Sequence, residues 1–177
     1  MDSYKLLNFT TESFFFKIYN ETKLEKEMIK ELENDISTKE FLTDFWNYIM
    51  ETKLDLESGI QPQRYTNIIY FKSLPIGLIT FFDIGNELIF SHGIRPSERG
   101  KRFSSRVKKE VIEYVFNNLK EISEIIMYID KTNTRSLNSL KKSTYDKIET
   151  ILDKNNQKEF VKITNYNPYY KEFDKKR

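Results

Sequence analysis

The sequence predicts an α/β domain built on a mixed, mostly antiparallel sheet. Three strand-like runs, at residues 65–72, 76–83 and 87–94, are separated by turns at 73–75 and 84–86. Turns this short join antiparallel neighbours. A long amphipathic helix over about residues 100–119 then leads to an apolar run at 122–130. A strand reached through a helix runs parallel to the strand before it.

The remaining elements follow in order. Residues 4–9 read as a short strand. Over 11–33, Leu24, Met28 and Leu32 recur every four residues and predict a helix. Ser37-Thr-Lys-Glu40 is a capping box that opens a second helix with Phe41, Phe45, Tyr48 and Ile49 inward. Gly59 and Pro62 make 53–64 a loop. Phe103, Val107, Val111, Val115 and Leu119 form the stripe of the 100–119 helix. Residues 133–142 read as helix, and 146–152 with 159–164 as a last hairpin. The tail from 165 to 177 is polar, tyrosine-bearing and basic, and is expected to be partly disordered. Residues 1–164 are read as a single domain, with 1–64 a variable helical part and 65–164 the core.

Composition excludes several classes. The chain has 177 residues, 38% of them hydrophobic, which suits one globular domain. With 29 basic and 27 acidic residues, the net charge of +2 makes no global case for nucleic acid or an acidic membrane. There is no cysteine and only one histidine, His92. Thiolate metal sites, disulfides and a cysteine nucleophile are therefore excluded, and no metal is expected. The start, MDSYKLLNF, has no basic n-region, and no apolar run reaches the roughly 18 residues of a membrane span. A cytoplasmic protein without membrane contact is the expectation.

Residues 91–105 join a strand to a helix. A helix start offers unpaired amides and a partial positive charge. This one also carries Arg99, Lys101, Arg102, Arg106, Lys108 and Lys109, with no acidic residue from 99 to 109. A diphosphate would be held by amides and cations together. By charge alone, a solvated basic face or a nucleic-acid patch competes evenly with that reading.

The order of residues shifts that balance. Ile94-x-Pro96-x-x-Arg99-Gly100-Lys101 resembles the signature core of the GNAT acetyltransferases. The resemblance implies a sheet flanked by helices, with a strand pair splayed to receive acetyl-CoA. It implies that His92 and Ile94 lie along the pantetheine arm. It places the pyrophosphate on Arg99, Gly100, Lys101, Arg102, Phe103, Ser104 and Ser105. The family's two loop glycines fall on Arg102 and Ser104 here. Arg102 can still donate its amide if it is already helical, with its side chain turned out or onto a phosphate. A second segment, from Asn133 to Tyr145, is similar to a later element of the family. It puts Asn133 on a CoA-contacting asparagine and Leu140 where many members carry a tyrosine that protonates the departing thiolate.

The implied function is transfer of acetyl from acetyl-CoA to an amine, carried by a small molecule or by a protein. A homodimer is compatible with this. His92, with an ordinary pKa of about 6.5, is the candidate base. Two alternatives stay open. A degenerate domain could bind CoA as a sensor or scaffold, motivated by Arg102 and Leu140. A nucleic-acid-binding domain could use the 99–109 face.

Overall fold

A computed structural model describes residues 3–35, 64–140, 145–153 and 157–170. Among these described residues, eight strands form one sheet in the order β1-β2-β3-β4-β5-β6-β8-β7. They are β1 (Phe9–Thr10), β2 (Phe14–Ile18), β3 (Arg64–Phe71), β4 (Leu74–Ile84), β5 (Glu87–Ile94), β6 (Glu124–Asp130), β7 (Lys147–Asp153) and β8 (Lys158–Tyr166). The described helices are α1 (Lys23–Glu33), α2 (Phe103–Asn118) and α3 (Thr134–Leu140). The expected α/β class and mixed sheet are what the chain adopts. Every strand pair is antiparallel except β5 with β6, which run parallel as the crossover helix requires.

The central hairpins follow the sequence reading within a residue or two. The amino-terminal part does not. Residues 3–6 form a 3-10 turn where a strand was expected, and the expected helix over 11–33 is divided. Its first part is the β1–β2 hairpin, in which Phe14 and Phe16 are buried while Phe15 is exposed. Three consecutive aromatics lose side-chain freedom in a helix and suit a pleated surface, so period two wins over period four. The hairpin turn is tied to α2, where Glu110 accepts from Thr11 Oγ1 at 2.6 Å and from the Ser13 amide at 2.8 Å.

The helix itself starts at a second capping box, Thr22-x-x-Glu25. Glu25 also accepts from the Tyr70 hydroxyl at 2.6 Å, which fixes α1 to β3 and buries the carboxylate completely. This rotates the stripe. Met28, Ile29 and Leu32 are buried, whereas Leu24 is 47% exposed. The predicted second helix, with Phe41, Phe45, Trp46, Tyr48 and Ile49, and the 53–63 loop lie outside the described residues.

Each sheet face carries a core. Met28, Ile29 and Leu32 of α1 pack on Ile68, Tyr70 and Leu78. On the opposite face, all five predicted stripe residues of the 100–119 helix are buried against β3, β4, β5 and β6. Each such side chain contributes about 1.5–3 kcal/mol by leaving water.

The carboxy-terminal hairpin forms as expected, but β8 rather than β7 lies beside β6. The tail was expected to be loose from residue 165, but residues 165–170 are described and packed. Asn165 and Asn167 are buried, and Asn167 donates its side-chain amide to Ile122 O at 2.7 Å. Residues 171–177 are outside the described set. No described helix is long and apolar enough to cross a membrane.

Candidate active site

The site begins where the sheet opens. β5 and β6 pair only at Glu87–Glu124, Leu88–Ile125 and Ile89–Ile126. Beyond Ile89 the carboxy-terminal half of β5 keeps β4 on one side, and among the described residues no strand pairs with its other side. Gaps of this kind leave backbone donors and acceptors for a ligand.

The end of β5 is shaped by glycines. Gly93 O approaches β4 so closely that a Cβ on Gly77 would lie 2.1 Å from it. Arg95 N then bonds Ile76 O at 2.9 Å, and Pro96–Glu98 form a 3-10 turn. Gly100 has φ 81° and Arg102 has φ 62°. Arg102 is thus not helical, as the sequence reading allowed, but is the left-handed residue before α2. The backbone keeps a conformation that favours glycine even though the residue is arginine. The first intrahelical bond is Arg106 N to Arg102 O. The amides of Phe103, Ser104 and Ser105 therefore lack intrahelical acceptors, and Ser104 brings this helix start against β5 through His92. A non-glycine residue in this region costs roughly 1–2 kcal/mol. Arg102→Gly should accordingly raise stability by about 1 kcal/mol in urea unfolding. No gain would mean that the Arg102 side chain offsets the strain.

The matching family model is the Acetyltransferase (GNAT) domain, over residues 11–145. The chain belongs to the GNAT acetyltransferases. Solved members share the fold at low identity. An acetyltransferase of the GNAT family from Bacillus anthracis is 13% identical with a TM-score of 0.65, covering 91% of this chain and 99% of that one. The aminoglycoside acetyltransferase AAC(6')-Ib, solved with coenzyme A, is 14% identical with a TM-score of 0.66, covering 92% and 99%. The N-acetyltransferase PseH from Campylobacter jejuni is 18% identical with a TM-score of 0.59, covering 86% and 97%. Among curated proteins, no sequence matches this chain.

The basic run of this GNAT domain is dispersed in three dimensions. Arg99 pairs with Asp35 at 2.5 Å and donates Nε to Ile94 O at 2.9 Å. Lys101 pairs with Glu98 at 2.7 Å, and Lys109 with Glu113 at 3.8 Å. Arg106 donates to Ser13 Oγ at 2.6 Å and lies over the rings of Phe14 and Phe71. The expected joint grip of these cations on a diphosphate is therefore not how their side chains are disposed. What remains at the helix start is backbone together with the exposed Arg102 side chain.

The other predicted residues fall as follows. The Phe103 ring is buried against Phe71 and Phe14, so only its amide faces the loop side. Ser105 Oγ donates to Arg102 O at 3.0 Å. Asn133 Oδ1 accepts from Ser136 N at 3.0 Å and so caps α3. Leu140 is half-buried against the main core.

His92 sits on the α2 face, with Nε2 2.8 Å from Ser104 Oγ and its ring 6.1 Å from that of Phe90. Burial, and then the charge of Lys108, push its pKa down to about 3. The ring is neutral at pH 7, so it lacks the basicity near neutrality that its ordinary pKa promised. The sign of the linkage is fixed. The unfolded chain binds the proton from about pH 6.5 downwards, while the folded chain does so only near pH 3. Stability therefore falls as pH drops through this window. The loss is on the order of 2 kcal/mol at pH 4.5. His92→Gln should flatten that limb of a Tm-against-pH curve. An unchanged limb would assign the acid loss to other groups.

Two features of the site had no signal that the linear reading used. Glu31 and Asp35, four residues apart at the end of α1, reach the loop after β5. Glu31 accepts from Ser97 N at 2.6 Å and Arg95 Nε at 2.6 Å. Lys108, taken as one more surface cation, is buried. Its Nζ lies 3.1 Å from Ser139 Oγ and 3.4 Å from the Tyr145 hydroxyl.

Proposed function

We propose that this GNAT domain is an N-acetyltransferase that uses acetyl-CoA and acts on an amine. The observation that carries the reading is the parting of β5 from β6 after Ile89, directly beside the open amides of α2. The residues present fit the co-substrate. The unpaired edge of β5 through His92 and Ile94 suits the amide-bearing pantetheine arm. Gly100, Lys101, Arg102, Phe103, Ser104 and Ser105 present the backbone of a helix start to the pyrophosphate. Asn133, which caps the start of α3, is the further side chain assigned to the co-substrate. Bound there, acetyl-CoA supplies an activated acetyl thioester.

The chain's own part is to position and to polarise. Backbone amides near Ile94 hold the acyl oxygen, and the fixed strand end aligns the acceptor nitrogen. Arg99 acts from behind, holding the strand end through Ile94 O and the loop through Asp35. His92 acts as a neutral hydrogen-bonding post for Ser104 and α2. Deprotonation of the amine falls to solvent or to a residue of the acceptor. The α1 face is the acceptor side. There Thr66 and Thr80 share a buried hydroxyl pair at 3.0 Å, and Ser91 continues the row toward the gap.

Calorimetry with acetyl-CoA, followed by thiol release across small amines and peptide amines, tests the reading. Micromolar binding with release on one amine class is the expected result. No binding of acetyl-CoA would overturn it. Tight binding without release on any acceptor would favour the sensor alternative.

A further inference from the structure

Lys108 is only 5% exposed, yet it has no carboxylate partner among the described residues. Its contacts are two hydroxyls, Ser139 Oγ and the Tyr145 hydroxyl, which come from α3 and the segment after it. A lysine at a helix surface ordinarily extends its ammonium to water. Burying it against neutral groups costs several kcal/mol, which leucine or methionine would not. The cation is thus held where α2, β5 and α3 meet. Ser104 and Lys108 are four residues apart on one face of α2. Ser104 meets His92 of β5, and Lys108 lies close enough to depress the basicity of that ring.

We propose that the Lys108 ammonium, backed by the Tyr145 hydroxyl, meets the sulfur of the departing CoA and neutralises it. This rests on the acetyl-CoA reading above. The depth along α2 selects the sulfur over the diphosphate. The open amides end at Ser105, while Ser104 to Lys108 spans about 6 Å along the helix axis into the gap. The side chain at 140 is a half-buried leucine packed against the core, which has no proton to give. As the amine nitrogen bonds to the acyl carbon, the C–S bond breaks and its electron pair stays on sulfur. The Lys108 ammonium and the Tyr145 hydroxyl hold that thiolate as a hydrogen-bonded ion pair and keep their own protons. The nitrogen sheds its surplus proton to solvent, and the thiolate leaves with CoA and takes a proton from solvent once released.

The full chain has no cysteine, so the thiol of bound CoA is the only thiol present and its ionisation can be followed by thiolate absorbance. With wild-type protein, bound CoA should ionise about one to three pH units lower than free CoA. Lys108→Met should bring the bound thiol back to the free value, and Lys108→Arg should keep most of the shift. In turnover, Lys108→Met should lower kcat about 100-fold with little change in KM for acetyl-CoA. A wild-type thiol that ionises like free CoA overturns the proposal, whatever the variants do. A shift that survives in Lys108→Met overturns it as well. Failure of wild-type protein to bind CoA in calorimetry removes the acetyl-CoA reading itself, whereas binding with an unshifted thiol removes only the role of Lys108. Should Lys108→Met not fold in circular dichroism, the wild-type and Lys108→Arg titrations still decide.

Discussion

Gly77→Ala should abolish measurable acetyl-CoA binding while leaving most of the fold intact. The new Cβ would lie 2.1 Å from Gly93 O and 3.1 Å from both Gly93 C and Ile94 Cδ1. Two of those atoms are backbone, so no side-chain rotation relieves the clash. Either β4 bends or the end of β5 moves away. Moving β5 displaces Gly93, Ile94 and the start of the loop, which are the groups proposed to face the cofactor. Overpacking of this kind destabilises by roughly 1–3 kcal/mol. Binding should suffer more, because a displacement of about 1 Å in a positioning element can cost 100-fold. Calorimetry with acetyl-CoA and thermal melting separate the two effects. Wild-type affinity in Gly77→Ala would show that the end of β5 is not part of the cofactor site.

The second large effect is expected at Glu31. Its carboxylate accepts from the Ser97 amide and from Arg95, and so ties the 3-10 turn after β5 to α1. Burial raises its pKa, but the Ser97 amide and hydroxyl together with Arg95 outweigh burial and hold it below the ordinary value. Glu31→Ala leaves Arg95 without its half-buried partner and frees the turn. The expected loss is about 2 kcal/mol in unfolding free energy, as for truncating one member of a charged hydrogen-bonded pair. Acetyl-CoA affinity should fall at least about tenfold, because the loop must be ordered on binding. The pH dependence has a definite sign. A depressed carboxylate pKa stabilises above the unfolded value of 4.5 and loses that contribution as pH falls through the folded value. Glu31→Gln should reproduce at pH 7 part of what acid does to wild type. Unfolding curves at pH 7 and pH 4 would check it, and a Glu31→Ala protein with wild-type stability and affinity would remove the tie.

These two effects concern contacts that link distant parts of the chain, and such contacts were the least legible in the sequence. Gly77 sits in an apolar strand run and gives no sign of meeting Gly93. Glu31 looks like one of many charges on α1. Lys108 looks like one of six cations between residues 99 and 109, and only its packing against α3 distinguishes it. The strand order shows the same limit. The β7–β8 hairpin was readable from local pattern, but which of the two lies beside β6 depends on a pairing across more than thirty residues.

The sequence by itself determined what short-range physics controls. Turn length made the β3–β4–β5 meander antiparallel, and the four-residue stripe from Phe103 to Leu119 made α2 the helix that crosses to β6. The order Ile94-x-Pro96-x-x-Arg99-Gly100 identified the family, because that spacing sets a strand end against a helix start. Tertiary structure decided how the charges and the aromatic run are used. Phe14 to Phe16 became a strand because β3 offered a pleated partner for it. Arg99, Lys101, Arg106 and Lys109 were claimed by Asp35, Glu98, Ser13 and Glu113. His92 lost its basicity to burial and to Lys108. Partner choice and desolvation depend on neighbours brought in from elsewhere in the chain, and no local pattern encodes them.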